Sequence, residues 1–405
     1  MFLKKRTRLY NNLNLFDFFL ILKSFFKKNE FQKKLSIYLN KNNISLTSQG
    51  RVAFYEIIKL VIGKKKNKII LSPFTLPEIV YAIIYAGGEP KFIDLDLETG
   101  LVDAKELKKE INEFTAAVLI THLYSSECHI NNFINEFSGK IKIIEDAAIN
   151  LGAKTDQGFL GTLADYGFFS FNIVKNLNTL HGGAIFIRDN TEFDNYKKKY
   201  CKKKYPNTIF LNNLIIASII KIFFNNITYQ FTHYFLKFIY KYNIKFILSK
   251  IYPVLFYKFS KQIPNNYNYD FNYLMDCVAC DNLKKINIDI NETIQKAMLY
   301  EKFLNPSAVK KFKFNFNSEN IFLEYPVILN KFNNKVMHKI LLECGYDIRH
   351  TWYLNNARNF NDYNSAKFKT VEIIEDKIFC LPLHKNIKNH DIKKICNIIN
   401  NCESK

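Results

Sequence analysis

Glycine and proline are scarce, at 13 and 9 of 405 residues, which excludes collagen-like and Pro/Gly low-complexity architectures. Arginine is scarcer, with six residues, and tryptophan occurs once. Lys, Asn, Ile, Phe and Tyr are abundant instead, a bias expected of an AT-rich genome. The eight cysteines have no regular spacing, so they read as reduced thiols of a cytosolic chain rather than a disulfide framework. Acidic residues are absent from 195–269, where thirteen lysines stand. That stretch supplies +13 of the formal +21 and leaves +8 for the other 330 residues. Such local basicity does not support a nucleic-acid stripe along the whole chain, and no nucleic-acid partner is expected. Long hydrophobic runs are missing too. The uncharged stretches either side of Lys221 reach 15–16 residues, short of the roughly 18–20 that span a bilayer.

The N-terminus carries Lys4, Lys5, Arg6 and Arg8. The apolar run that follows is broken by Asp17 and Lys23 and lacks a small-residue cleavage site, so no secretory leader is expected. Phe16, Phe19, Leu20, Leu22, Phe25 and Phe26 suit one face of a helix. Packing against the protein is the first reading of that face, and a membrane surface the second.

With 48% hydrophobic residues and this length, two lobes are the default expectation. From Ser48 the chain alternates helix and strand patterns. The spacing predicts helices at Arg51–Ile62, Pro77–Ala86, Ala104–Ile111 and Ile130–Phe137. Strands are predicted at Lys68–Leu71, Lys91–Leu95, Ala116–Thr121, Ile141–Glu145, Tyr166–Phe171 and Gly183–Ile187. This alternation indicates a mostly parallel sheet covered on both faces, an α/β fold. From about Asn282 the pattern becomes helix, strands (Asn320–Ile328), helix (Asn334–Cys344), strand (Lys377–Cys380) and a closing helix from His390, as in a small second α/β lobe.

The chemistry concentrates in Ile144-Glu145-Asp146-Ala147-Ala148 and in Phe169-Ser170-Phe171-Asn172-Ile173-Val174-Lys175-Asn176. The first motif puts a carboxylate at the C-terminal end of a buried strand, where α/β folds bind ligands. The second sets a hydroxyl and an amine five residues apart, just past the next strand. Pyridoxal phosphate (PLP) chemistry needs a lysine to hold the cofactor, a buried carboxylate to keep the pyridine nitrogen protonated, and a hydroxyl with helix N-terminal amides for the phosphate. Ser48-Gln49-Gly50, opening the helix at Arg51, is a second candidate phosphate contact.

At this point the chain resembles the DegT/StrS-type sugar aminotransferases. The resemblance runs from about Phe31 to Asn190 and returns between Tyr269 and Ile399. Besides the motifs above it rests on Ser72-Pro73-Phe74-Thr75, Ala86-Gly87-Gly88-Glu89-Pro90 with Ile93-Asp94-Leu95-Asp96, Thr121-His122-Leu123-Tyr124, Gly182-Gly183-Ala184 and Leu381-Pro382-Leu383-His384. It implies the type I PLP-dependent transferase fold, with a mostly parallel seven-stranded sheet sandwiched by helices and a small C-terminal α/β domain. It implies Lys175 for the covalent bond to PLP, Asp146 for the pyridine nitrogen, and Ser170, Gly50 and Arg51 for the phosphate. An asparagine from a second subunit completes that phosphate site in the family. Asn268 is the best match here and Asn272 its rival. The implied function is transfer of an amino group from L-glutamate to a keto-sugar nucleotide in surface glycan or polysaccharide (lipopolysaccharide) biosynthesis, by a cytoplasmic homodimer that needs no metal.

Three positions depart from the family pattern: Ile149 replaces a glutamine, Leu76 an aromatic that stacks on the ring, and Ser125 a glycine. They leave open a PLP-dependent sugar dehydratase or other lyase of the same fold, and a catalytically silent, membrane-associated scaffold. In the related sugar dehydratases a histidine often replaces the lysine, and Lys175 speaks against them. His122 is expected to order the loop after its strand and His181 to be a loop residue, although either could approach the site. Arg349, His350 and Tyr353 carry no assigned role. Cys277-Val278-Ala279-Cys280 is a lone pair on a helix, read as buried thiols rather than a zinc site. The expected division is an N-terminal helical arm (1–47), a PLP-binding domain (48–194), a basic aromatic/apolar insertion (195–268), and a connecting helix with the small domain (269–405). For 205–260 three readings stand: a packing or dimer-interface insertion, peripheral contact with the inner face of a membrane, and a membrane-spanning pair.

Overall fold

A computed structural model describes residues 5–6, 15–27, 29–123, 127–200, 202–225, 227–242, 262–314, 321–348, 353–360 and 368–403, with 244, 246 and 316 as single positions. Its centre is a seven-stranded sheet. In chain order the strands are β1 (Ile44–Thr47), β2 (Lys68–Leu71), β3 (Glu89–Phe92), β4 (Thr115–Thr121), β5 (Lys142–Asp146), β6 (Tyr166–Ser170) and β7 (Gly183–Ile187). Across the sheet the order is β1-β7-β6-β5-β4-β2-β3. β2 through β6 pair in parallel, and β7 runs against both of its neighbours. The inner strands are near-continuous apolar runs, as required where helices cover both faces.

Helices α3 (Gly50–Val61), α4 (Pro77–Ala86), α5 (Ala104–Glu110) and α6 (Glu127–Phe137) make the connections. α4 starts with Pro77 at its first turn and ends on Gly87, whose φ of 91° is the left-handed cap that glycine adopts without steric cost. Predicted and observed bounds coincide for β2, β7 and α4. The strand expected at Lys91–Leu95 instead lies at Glu89–Phe92. Asp94 is diverted to other work there, accepting the backbone N–H groups of Thr370 and Val371.

After α7 (Asn190–Lys199) come α8 (Asn207–Phe223) and α9 (Tyr229–Lys241). Then α10 (Asp276–Phe303) leads to a separate antiparallel sheet of Val309–Lys311, Glu324–Leu329 and Ile378–Pro382. The remaining long helices are α11 (Asn334–Glu343), α12 (Lys369–Lys377) and α13 (Asn389–Glu403). The C-terminal part clasps the first where Leu354–Asn355 pairs with Phe74–Thr75. Asn356, fully buried, locks that junction by donating from Nδ2 to the carbonyls of Pro73, Thr75 and Leu354.

The N-terminal helix α1 (Leu15–Ser24) corrects the first reading of its apolar face. Leu20 and Ile21 turn inward together with Asp17 and Ser24, whereas Phe16, Phe19, Leu22, Phe25 and Phe26 face outward. α1 is held by Leu20 and Ile21, which join the main core, and by the Cys277 N–H donating to Ser24 Oγ. Among the described residues, no helix is long and apolar enough to cross a membrane.

Candidate active site

Five of the six residues singled out for the cofactor meet in one cavity of about 280 Å³, which Gly50, Arg51, Asp146, Ser170 and Lys175 line together with His181. Asp146 is the last residue of β5, at the carboxyl edge where ligands of parallel sheets bind. It is buried, and among the described residues its Oδ1 accepts one hydrogen bond, from the Ala148 N–H at 3.0 Å. Burial pushes its carboxyl above the usual range, while the Ala148 N–H, Lys175 and His122 pull the other way. A cation facing this carboxylate would relieve its desolvation.

The phosphate side is built by close approach. A Cβ at Gly50 would lie 2.8 Å from Ser170 Cβ, so only glycine lets the first turn of α3 press against the end of β6. The amides at this helix start and the Ser170 hydroxyl then border one space, a natural anion site. Arg51 lies at the same opening with Nη1 3.4 Å from Glu78 Oε1, so its side chain is shared with a carboxylate. Gln49 Oε1 and Glu78 Oε2 are buried and have no hydrogen-bond partner among the described residues. Such unmatched polar atoms in a cavity wall fit a polar ligand.

Lys175 sits on the hydrogen-bonded loop between β6 and β7. The Phe171 N–H donates to the Gly182 carbonyl, the Thr179 N–H to the Phe171 carbonyl, and the Lys175 N–H to the Asn172 carbonyl. Leu180 in this loop has a φ of 63°, a left-handed conformation costly for a branched side chain. It is buried, and its N–H is held by Asn178 Oδ1 at 2.7 Å. Strain of this kind persists only where surrounding contacts over-determine it.

His181, the next residue, was expected to be an ordinary loop histidine and instead lines the cavity. Burial and the Arg51 charge push its imidazole down to about 4, and a hydrogen bond with Asn213 opposes them. Asn213 belongs to α8, so one side chain links the cavity wall to the insertion. Tyr353 reaches the cavity from beyond α11 and packs against Phe74. Arg349, His350 and Ser125 lie outside the described residues.

His122 and Glu145 form the site's foundation. The His122 N–H donates to the Asp146 carbonyl, and its Nε2 lies 2.8 Å from Glu145 Oε2. The Glu145 carboxylate also accepts the N–H groups of Gly161, Leu163 and Ala164 at 2.6–2.8 Å. Both side chains are fully buried. His122 thus orders structure after β4, as expected. The sequence did not single out Glu145, although a carboxylate inside an apolar strand signals a buried partner.

Of the other positions, Leu76 lines the cavity, and Ile149 does not. Asn268 is exposed and lies outside the wall of its own chain's cavity. Asn272 is buried and spent on capping, accepting the Leu274 N–H. Cys277 and Cys280 are free thiols on α10. Burial raises the Cys280 thiol to about 11, which makes it a poor nucleophile at neutral pH.

Residues 22–202 match the DegT/DnrJ/EryC1/StrS aminotransferase family. The chain is 28% identical over 172 residues to GDP-perosamine synthase of Escherichia coli O157:H7, covering 42% of this chain and 47% of that protein. It is 32% identical over 169 residues to 3-oxo-glucose-6-phosphate:glutamate aminotransferase of Bacillus subtilis, covering 40% and 36%. The chain therefore spans less than half the length of these curated relatives. The fold extends further: a putative sugar aminotransferase, Spr1654 from Streptococcus pneumoniae in its PMP form, superposes with a TM-score of 0.74 at 14% identity, covering 99% of this chain and 98% of that one. The chain has the type I PLP-dependent transferase fold, and its likeness to the DegT/DnrJ/EryC1/StrS aminotransferase family is carried by residues 22–202.

Proposed function

We propose that the protein is a PLP-dependent aminotransferase that moves an amino group from L-glutamate to a keto-sugar nucleotide in surface glycan biosynthesis. The observation that carries this reading is the convergence of Lys175, Asp146, Ser170 and the start of α3 on one cavity. The residues fit the cofactor: Asp146 offers a desolvated carboxylate to a ring nitrogen, and the Gly50–Ser170 approach leaves room only for backbone beside a phosphate. PLP, when bound, supplies the electron sink that lets a substrate carbon lose its proton.

The chain's own residues do the rest. Lys175 Nζ carries the cofactor and takes and returns the α-proton of the amino donor. Asp146 holds a positive charge at the ring nitrogen. Ser170 and the amides of Gly50 and Arg51 fix the phosphate, with Arg51 balancing its charge. Glu145 and His122 keep Asp146 at its angle without touching the reactants. His181 is neutral at physiological pH and offers the cavity a polar contact without a second charge. On its other side Lys175 borders a second cavity of about 100 Å³, whose wall includes Thr293, Glu324, His384 and Lys385. Lysine at 175 favours transamination over dehydration. The enzyme works as a cytoplasmic homodimer, with exposed Asn268 reaching the partner's phosphate site, and meets the inner face of the membrane where glycan precursors are used.

The test is transfer of ¹⁵N from labelled L-glutamate to keto sugars carried on GDP, UDP or dTDP, followed by mass spectrometry. Label in one acceptor is the expected result. Release of a dehydrated sugar without label would assign the protein to the dehydratases.

A further inference from the structure

Three helices of this chain invert the usual arrangement of a surface helix. On α8 the outward residues Leu211, Ile215, Ile219 and Ile222 recur at three- and four-residue spacing, while Phe210 and Ala217 face in. On α9 Phe231, Tyr234, Phe235 and Phe238, with Tyr242 just past its end, form a second exposed stripe, and Tyr229, His233, Leu236 and Ile239 are buried. α1 and the turn after it add Phe16, Phe19, Leu22 and Phe26, the last 91% exposed, while Asp17 is only 3% exposed. Among the described residues, 19 of the 26 large apolar side chains left exposed belong to residues 16–26 and 211–246. Solvent-exposed apolar surface is not usually gathered in this way on a chain that meets only water.

These stripes sit on a braced platform. Thr228 Oγ1 donates to the Ile222 carbonyl and Thr232 Oγ1 to the Phe223 carbonyl, closing the α8–α9 hairpin. α9 packs back on α11 through Lys237–Glu343 and Tyr240–His338. Gln230 bonds the backbone on either side of Lys5, whose Nζ lies over the Tyr234 ring. α1 packs on α10, and the Asp17 charge is felt at Lys221 of α8.

Charge selects the occupant. Residues 195–269 hold thirteen lysines and no acid, and Lys23, Lys27, Lys221 and Lys241 are exposed on the helices or at their ends. A second copy meeting this face across a two-fold axis would set like charges together. An anionic lipid surface complements them, with lysine stems along the apolar zone and ammonium groups at headgroup level. α8 is 17 residues long, about 26 Å, too short for the roughly 30 Å hydrocarbon core. Its inner face is committed to protein, so it lies in the membrane plane.

We propose that the outward faces of α1, α8 and α9 dock this protein on an anionic bilayer as an interfacial platform. The proposal deepens the membrane contact stated for the function and rests on it, and its readout needs no catalysis, so its failure leaves the transamination reading untouched. The full chain with added PLP is floated with vesicles of phosphatidylglycerol and phosphatidylethanolamine, and with phosphatidylcholine alone, beside the variant Phe231→Ser/Phe235→Ser/Phe238→Ser. These positions face outward, so the variant keeps its circular dichroism and thermal midpoint, and that is checked first. The expected result is flotation with the anionic vesicles, weakened by salt, and roughly tenfold or more weaker in the triple variant. Lys221→Glu/Lys241→Glu lowers binding to the anionic vesicles alone. The proposal is overturned by absence from both vesicle fractions, by equal flotation of the triple variant, or by lipid-independent self-association that the triple variant abolishes. The last outcome would make the face a contact between copies of the chain.

Discussion

The central sheet and the α8–α9 hairpin use the same kinds of side chain in opposite directions. Around the sheet, Phe54, Phe168, Phe169 and Phe171 are buried against helices and neighbouring strands. On the hairpin, Phe231, Phe235 and Phe238 point outward from helices whose inner faces are partly polar. An apolar stripe at helical spacing therefore reports that a face exists, not which medium it meets. What separates the two regions is the company of charge. The sheet places single carboxylates where backbone N–H groups wait for them, whereas the hairpin and its flanks carry lysines and no acids.

The contrast is most sharply broken or upheld by paired substitutions. Phe54→Ala in the core is expected to cost about 3–5 kcal/mol of stability. Phe235→Ala on the hairpin should stay within about 0.5 kcal/mol in lipid-free solution. Denaturant melts of both variants check this, and equal losses would mean that the hairpin's outer face is a hidden core. Next in size is Asp146→Asn, expected to lower transamination by at least about 10²-fold, as loss of a preorganised charge does, with the melting curve little changed. Glu145→Gln should act the other way. It weakens charged bonds to three backbone N–H groups and costs about 2–3 kcal/mol, read as a lower midpoint.

Acid should strike both regions. His181 beside the site and His233 on α9 are each held down to about 4 by burial. The unfolded chain binds protons at these groups below pH 6.5 while the folded chain does not, so stability is complete above about 6.5 and falls as pH drops toward 4. Solvent screening keeps each contribution below the full value of its shift, more so for the less enclosed His233. His233→Phe should flatten the decline without altering turnover, as stability curves at pH 7 and pH 5 would show. The smallest effect expected is that of Asn213→Leu. It removes the hydrogen bond from α8 to His181 and should raise KM a few-fold with kcat kept. An unchanged KM would mean that the hairpin and the cavity are independent.

Much of this was legible in the residues. β2 and β7 are short apolar runs between turn residues, and α4 is bracketed by Pro77 and Gly87, so their limits could be read directly. Asp146, Ser170 and Lys175 stood out because a carboxylate, a hydroxyl and an amine at strand ends have few other uses together. Three features were hidden for a common reason. Glu145 is explained by loop amides sixteen to nineteen residues away. His181 is enclosed beside Arg51 and meets Asn213 of α8, and Tyr353 is brought in by the Asn356 junction. Each depends on contacts distant in sequence, which local pattern does not encode. The direction of α1 was hidden for another reason, since periodicity is the same whichever way a stripe faces.

Lys175 is the residue on which the proposed chemistry turns. Its direct test is the absorbance spectrum of the purified chain with PLP, before and after L-glutamate, beside Lys175→Ala. The expected result is a visible band of lysine-bound PLP that glutamate converts to the pyridoxamine form, and that is absent from the variant. A chain that binds no PLP, or shows the same band and conversion without Lys175, would contradict it.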